Sequence, residues 1–141
     1  MADASAHPAL DAPSPIERGF IQAALTALDS GQEFLLNYNI KNTDRAFGTG
    51  LSGRLAARFP QGLPAPIKLH LNGYSGASLM AFGMKGIKVT LVGAAGDYLG
   101  KGLSGASVVV KPHPKVEQDA TDAFDDREAP PLICGNVALY G

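Results

Sequence analysis

The chain has 141 residues, 45% of them apolar, and its twelve Lys or Arg nearly balance thirteen Asp or Glu. That is enough for one domain with its own core and argues against overall disorder. No apolar run approaches the roughly 18 to 20 residues of a membrane span, and residues 1–15 lack a basic stretch followed by an apolar one, so neither a span nor a signal peptide is readable. The lone cysteine, Cys134, excludes an intrachain disulfide framework and fits a reducing, cytoplasmic setting, where its apolar neighbours make it core filler before nucleophile or ligand.

Residues 1–32 form an N-terminal segment. Ser14-Pro15-Ile16-Glu17 reads as a capping box with proline at the first helical position, and Ile16, Phe20, Ala24 and Leu28 recur at spacing four until Gly31 supplies a stop. A short amphipathic helix is expected. The remainder, 33–141, opens with Glu33 to Ile40, where Phe34, Leu36, Tyr38 and Ile40 share one face of a first strand. A second small helix is expected over Ser52 to Phe59, with Ser52 as cap, Leu55 and Phe59 facing the body, and Pro60 ending it.

From Ile67 the chain repeats. Ile67-Lys68-Leu69-His70-Leu71 recurs as Ile87-Lys88-Val89-Thr90-Leu91, an offset of 20, and Gly83-x-x-Gly86 recurs as Gly102-x-x-Gly105, an offset of 19. The phrase Gly-x-Gly-Leu-Ser-Gly occurs at Gly48-Thr49-Gly50-Leu51-Ser52-Gly53 and again at Gly100-Lys101-Gly102-Leu103-Ser104-Gly105. Each alternating run has the period of a strand with one buried face, and glycines follow it. The expected turn glycines are Gly48, Gly50, Gly53, Gly73, Gly76, Gly83, Gly86, Gly93, Gly96, Gly100, Gly102, Gly105 and Gly135. Glycine costs about 0.5 to 1 kcal/mol against alanine inside regular structure, so such density implies corners or close backbone approach. The expectation is a mainly β fold, a parallel β-helix of about three rungs, incomplete at its C-terminal end. A polar loop over 112–131, inserted or mobile, precedes a further rung opening at Leu132-Ile133-Cys134-Gly135-Asn136.

The chemistry-bearing motifs fail on context. Both phrases match Gly-x-Gly-x-x-Gly, but a dinucleotide site needs a strand immediately before it, a helix after it, and an acid about 20 residues on. Seven residues separate Ile40 from Gly48, no acid lies between Asp44 and Asp97, and the second copy runs into the strand Ser107-Val108-Val109-Val110. Gly100-Lys101 lacks both the upstream glycine and the following hydroxyl of a phosphate loop. His7, His70 and His113 have no partner at ligand spacing, and Ser52, Ser75, Ser78, Ser104 and Ser107 read as bend residues. No catalytic, cofactor-binding or metal site is therefore expected. Residues 45–115 carry nine cations against Asp97, and 116–128 carry six acids against Arg127. The cations are scattered without interleaved aromatics, which points to a protein-docking surface before nucleic acid.

Three strings carry a resemblance. They are Asn42-Thr43-Asp44-Arg45-Ala46-Phe47-Gly48-Thr49-Gly50-Leu51-Ser52-Gly53, Gly93-Ala94-Ala95-Gly96-Asp97-Tyr98-Leu99-Gly100-Lys101-Gly102-Leu103-Ser104-Gly105, and Gly135-Asn136-Val137-Ala138-Leu139-Tyr140-Gly141. In this order they resemble the first half of the C-terminal glycine-repeat (GXGXG) domain of the glutamate synthase large subunit. The resemblance implies a right-handed β-helix that is structural and noncatalytic. FMN, an iron-sulfur cluster and a cysteine nucleophile are expected in other parts of the parent, and other domains or subunits of that complex are the expected partners. Ala77, Met80 and Gly96 depart from the family pattern and bring the packing of the middle rung into question. The pattern stops at Gly141, where the family continues, so a fragment or truncated form is expected. Two alternatives remain: a β-helix subunit of a formylmethanofuran dehydrogenase-like or formyltransferase complex, and a small nucleotide binder that uses the Gly-x-Gly-x-x-Gly segments, with Lys101 the residue whose loss would abolish binding.

Overall fold

The computed structural model describes residues 15–113 and 134–135. In chain order the elements are helix α1 (Pro15–Asp29), strand β1 (Phe34–Ile40), helix α2 (Thr49–Arg58), and strands β2 (Ile67–Tyr74), β3 (Ile87–Ala94) and β4 (Ser107–Lys111). The four strands form one sheet in the order β1-β2-β3-β4, and every neighbouring pair is parallel. Two helices beside a parallel sheet make the described chain mixed α/β, where a mainly β chain was expected. The sheet has four strands, all parallel; of the expected β-helix, the described residues contain this sheet. β1 pairs with β2 at an offset of 33 residues, as Phe34 opposite Ile67, and the longer first connection houses α2. No sequence repeat marks that pairing.

The repeat offsets reappear as strand register. Ile67 lies opposite Ile87 at offset 20, and Lys88 lies opposite Ser107 at offset 19. The one-residue slip falls where Met84 bridges both Ser104 and Gly105. Register aligns like with like on the inner face, stacking Leu36, Leu69, Val89 and Val108 in one column and Tyr38, Leu71, Leu91 and Val110 in the next. Leu69, Leu71, Val89 and Leu91 are each at most 1% exposed. Burying such a side chain stabilises by about 1.5 to 3 kcal/mol, so these columns are the main source of cohesion between strands.

The helix α1 presents Glu17, Ile21, Ala24 and Leu28 to the core. Ile16 is exposed, so the buried stripe is turned by one residue at its start relative to the expected Ile16–Phe20 line. The helix ends as expected, with Gly31 at φ 71° and its N–H on the Leu28 carbonyl. The helix α2 begins three residues before the expected Ser52, because Gly48 serves as N-cap in the left-handed region. Ser52 is thereby an interior residue, buried, and its Oγ accepts the Met84 N–H at 3.3 Å. Phe20, Tyr38 and Phe47 cluster where α1 meets the first rung, with Tyr38 and Phe47 stacked at 5.4 Å. Most of the expected loop 112–131, residues 1–14, and Leu132, Ile133 and Asn136 lie outside the described residues.

Candidate functional site

The glycine-rich corners carry the motifs that resemble ligand-binding loops, and their geometry decides what they do. After each of the first three strands the chain turns through a segment where alternate residues have positive φ: Ala46 and Gly48, then Ser78, Met80 and Phe82, then Tyr98, Gly100 and Gly102. These segments are hydrogen-bonded to one another. The Ala46 N–H donates to the Ala77 carbonyl at 2.8 Å and the Met80 N–H to Phe47 at 2.8 Å. One rung on, Ser78 donates to Asp97 at 2.8 Å, Gly100 to Leu79 at 2.9 Å and Phe82 to Lys101 at 2.7 Å. A phosphate cradle needs backbone N–H groups that point into open space. Here those N–H groups are bonded to carbonyls of the neighbouring corner segments.

Individual glycines divide into groups. Gly73 and Gly93 sit over one another at the strand ends, at φ 121° and 145°. A Cβ on Gly93 would collide with the Gly73 carbonyl oxygen and lie 2.8 Å from its carbonyl carbon. Gly76, Gly96 and Gly135 form a parallel column: a Cβ on Gly76 would lie 2.6 Å from the Asn42 carbonyl oxygen, one on Gly96 2.9 Å from the Gly76 carbonyl, and one on Gly135 2.8 Å from the Gly96 carbonyl carbon. Gly86 and Gly105 have positive φ at the entries to β3 and β4, and Gly83 packs against Ala106 and Leu103. Gly50 and Gly53 lie inside α2, so they are helical residues and not corners, because the helix starts at Thr49.

Of the residues that depart from the family pattern, Met80 has a packing role. Met80 is fully buried at φ 55°, and its sulfur occupies the space that a Cβ on Gly48 would need. Phe82, at φ 59°, lays its ring over Gly102, where a Cβ would come within 2.6 Å of the ring. Large residues of one rung thus lie on glycines of its neighbours. Five non-glycine residues held at positive φ each cost about 1 to 3 kcal/mol. Inter-rung hydrogen bonds worth about 1 kcal/mol each, with burial of Met80, offset that strain.

The start of α2 is occupied from within. Glu17 Oε1 accepts the Gly48 N–H at 2.9 Å, so a carboxylate of the chain already faces the helix end that would attract an anion. Burial pushes the Glu17 carboxyl above its usual range; the Gly48 N–H opposes this and the nearby Asp44 charge adds to it. Asp44 Oδ2 in turn accepts the Tyr38 hydroxyl at 3.1 Å and the Lys41 N–H at 2.8 Å. Desolvation and the Asp44 carboxylate raise the Tyr38 phenol as well. Glu17 was legible only as a capping-box residue; its contact 31 positions away had no sequence signal.

The remaining candidates are dispersed. Lys101 directs its ammonium to the Tyr98 ring at 5.6 Å. His70 is exposed on the outer sheet face and His113 lies beyond β4. Cys134 is half-buried against the core, and the Ser75 Oγ is buried without a hydrogen-bond partner among the described residues. Among the described residues no group of three or more His, Cys, Asp or Glu is arranged to hold a metal ion, and no helix is long and apolar enough to cross a membrane. An open groove of about 710 Å³, lined by Phe59, Pro60, Leu63, Pro64, Met84 and Lys85 among others, brings no acid and base together.

The GXGXG motif family matches residues 17–141. The chain is 37% identical over 133 residues to the glutamate synthase [NADPH] large chain of Azospirillum brasilense, covering 93% of this chain and 8% of that protein. It is 40% identical over 105 residues to ferredoxin-dependent glutamate synthase 2 of Synechocystis, covering 74% and 6%. It is 38% identical over 128 residues to glutamate synthase [NADH] of Saccharomyces cerevisiae, covering 89% and 6%. The chain therefore spans 6 to 8% of the length of these relatives.

Proposed function

The chain belongs to the GXGXG motif family, and from that premise we propose that it is a noncatalytic structural segment of a glutamate synthase large chain. Its four-stranded parallel sheet is, on this reading, one wall of a right-handed parallel β-helix, and the glycine corners are a second, hydrogen-bonded wall. The observation that carries the proposal is the second ladder itself. The N–H groups of Ala46, Ser78, Met80, Phe82, Gly100 and Ser104 are spent on carbonyls of neighbouring rungs and that of Gly48 on the Glu17 carboxylate, which favours a stacking device over a ligand cradle.

The partners are the other domains or subunits of a glutamate synthase-like assembly in the cytoplasm. FMN and an iron-sulfur cluster are held by those other parts, and this segment contributes rigidity and surface. A segment exchange tests this. Residues 17–141 replace the matching segment of the Azospirillum brasilense large chain, and the exchanged protein is expected to remain folded and to retain glutamate synthase activity. Loss of both, or saturable heat when NADPH or ATP is titrated into the present chain alone, would overturn the proposal.

A further inference from the structure

We propose that the outer face of the sheet is a docking surface for a carboxylate-rich polypeptide segment of a partner protein, with Lys68, Lys88 and Lys111 supplying the attraction. This deepens the scaffold reading and rests on it. Side chains alternate across a strand, so the positions between the buried columns face outward. Along the sheet they read Leu35, Lys68, Lys88 and Ser107 in one row, then Asn37, His70, Thr90 and Val109, then Asn39, Asn72, Val92 and Lys111. None is Asp or Glu.

Lys68 and Lys88 stand directly opposite each other in register, about 4.8 Å apart along the stack. Like charges in that position destabilise a sheet. Glu33 relieves Lys68 alone, at 3.4 Å, and neither Lys88 nor Lys111 forms an ion pair among the described residues. Residues 15–113 as a whole carry ten Lys or Arg against five Asp or Glu, so the described body is net positive. All-parallel sheets are normally covered on both faces, and here the outer face has no element over it among the described residues. Complementarity then selects an acidic cover. The amides of Asn37, Asn39 and Asn72 add donors suited to carboxylates. The three rows hold no Phe, Tyr or Trp, and Tyr74 at the end of β2 is a single exposed ring rather than a platform for successive bases, which favours protein over nucleic acid.

The test uses the full chain and fluorescence anisotropy with a labelled Glu- and Asp-rich peptide, at low and high salt. Binding is expected at low salt and should weaken as salt rises. K68E/K88E/K111E should weaken it on the order of tenfold or more, whereas R18E/R54E, on the helices, should change it by no more than about twofold. Circular dichroism checks that each variant is folded, and the milder K88Q/K111Q should weaken binding in the same direction. No binding at low salt, or equal binding by the triple variant, would overturn the proposal. So would tighter binding of an oligonucleotide of the same net charge. Binding that emerges only once Glu117, Asp119, Asp122, Asp125, Asp126 and Glu128 are amidated by substitution would show the face occupied within the chain, again overturning it. None of these outcomes bears on the segment exchange, so the docking surface and the scaffold reading fail separately.

Discussion

Replacing Gly93 with alanine should be among the most damaging single-methyl changes in the molecule. Its φ of 145° is a conformation that alanine adopts at a cost of about 1 to 3 kcal/mol. The new methyl would also be driven into the Gly73 carbonyl, which is backbone and cannot swing away. Restoring contact distance requires β2 and β3 to part by about 1 Å or more at this end, which breaks hydrogen bonds such as Ser75 N–H to the Ala94 carbonyl. Each buried group left unpaired costs about 1 to 3 kcal/mol. With one group left unpaired the sum is about 2 to 6 kcal/mol, a large share of the roughly 5 to 15 kcal/mol that holds a domain together. Urea unfolding of the full chain should show the midpoint falling by about 1 to 3 M at a slope near 2 kcal/mol/M, or no folded baseline at all. Gly53→Ala supplies the contrast. That glycine lies within α2 with nothing within 4 Å of a new Cβ, so helix propensity alone should stabilise by about 0.5 to 1 kcal/mol. An unchanged midpoint for Gly93→Ala would refute the claim that the rungs touch through this glycine.

Three further outcomes follow from the same geometry. Met80→Ala should cost about 2 to 5 kcal/mol in urea unfolding, because a fully buried side chain leaves a cavity beside Gly48; a loss below about 1 kcal/mol would mean that the corner collapses around it. Ser75→Ala should raise stability by about 1 kcal/mol, since it deletes a buried hydroxyl without a partner at the position where the next rung carries Ala95; a destabilised variant would point to a hydrogen bond. Burial holds the folded-state carboxyl of Glu17 above its ordinary value of about 4.5, against the Gly48 N–H and with the Asp44 charge adding, so protonation favours the fold. That contribution is fully present below about pH 4.5 and is lost as pH rises through the raised folded value. Glu17→Gln should flatten the stability profile across this window, and parallel profiles for variant and native chain would contradict the assignment.

Much of the sheet was legible because one signal was redundant there. The alternation in Ile67–Leu71 and Ile87–Leu91 set face and register together, and the offsets of 20 and 19 reappear as strand pairs. β1 was legible as a strand with the right inner face, but its place below β2 was not, since α2 interrupts the spacing. The corners were half legible. Glycine density marked them, yet Ser78, Met80, Phe82 and Tyr98 take left-handed conformations that their side chains disfavour, because inter-rung hydrogen bonds over-determine the backbone there. Propensity for local structure also misplaced Ser52 and the second pair of glycines in the first phrase, where Gly48 begins a helix early. Met80 departs from the family pattern, and only the contact with Gly48 reveals why a large residue belongs there.

Amide hydrogen exchange on the unliganded chain tests the central claim most directly. If the corners are a second inter-rung ladder, the N–H groups of Ser78, Met80, Phe82, Gly100 and Ser104 should be protected to the same degree as those of β2 and β3. Fast exchange at these amides, with protection gained only when a nucleotide or inorganic phosphate is added, would contradict the account.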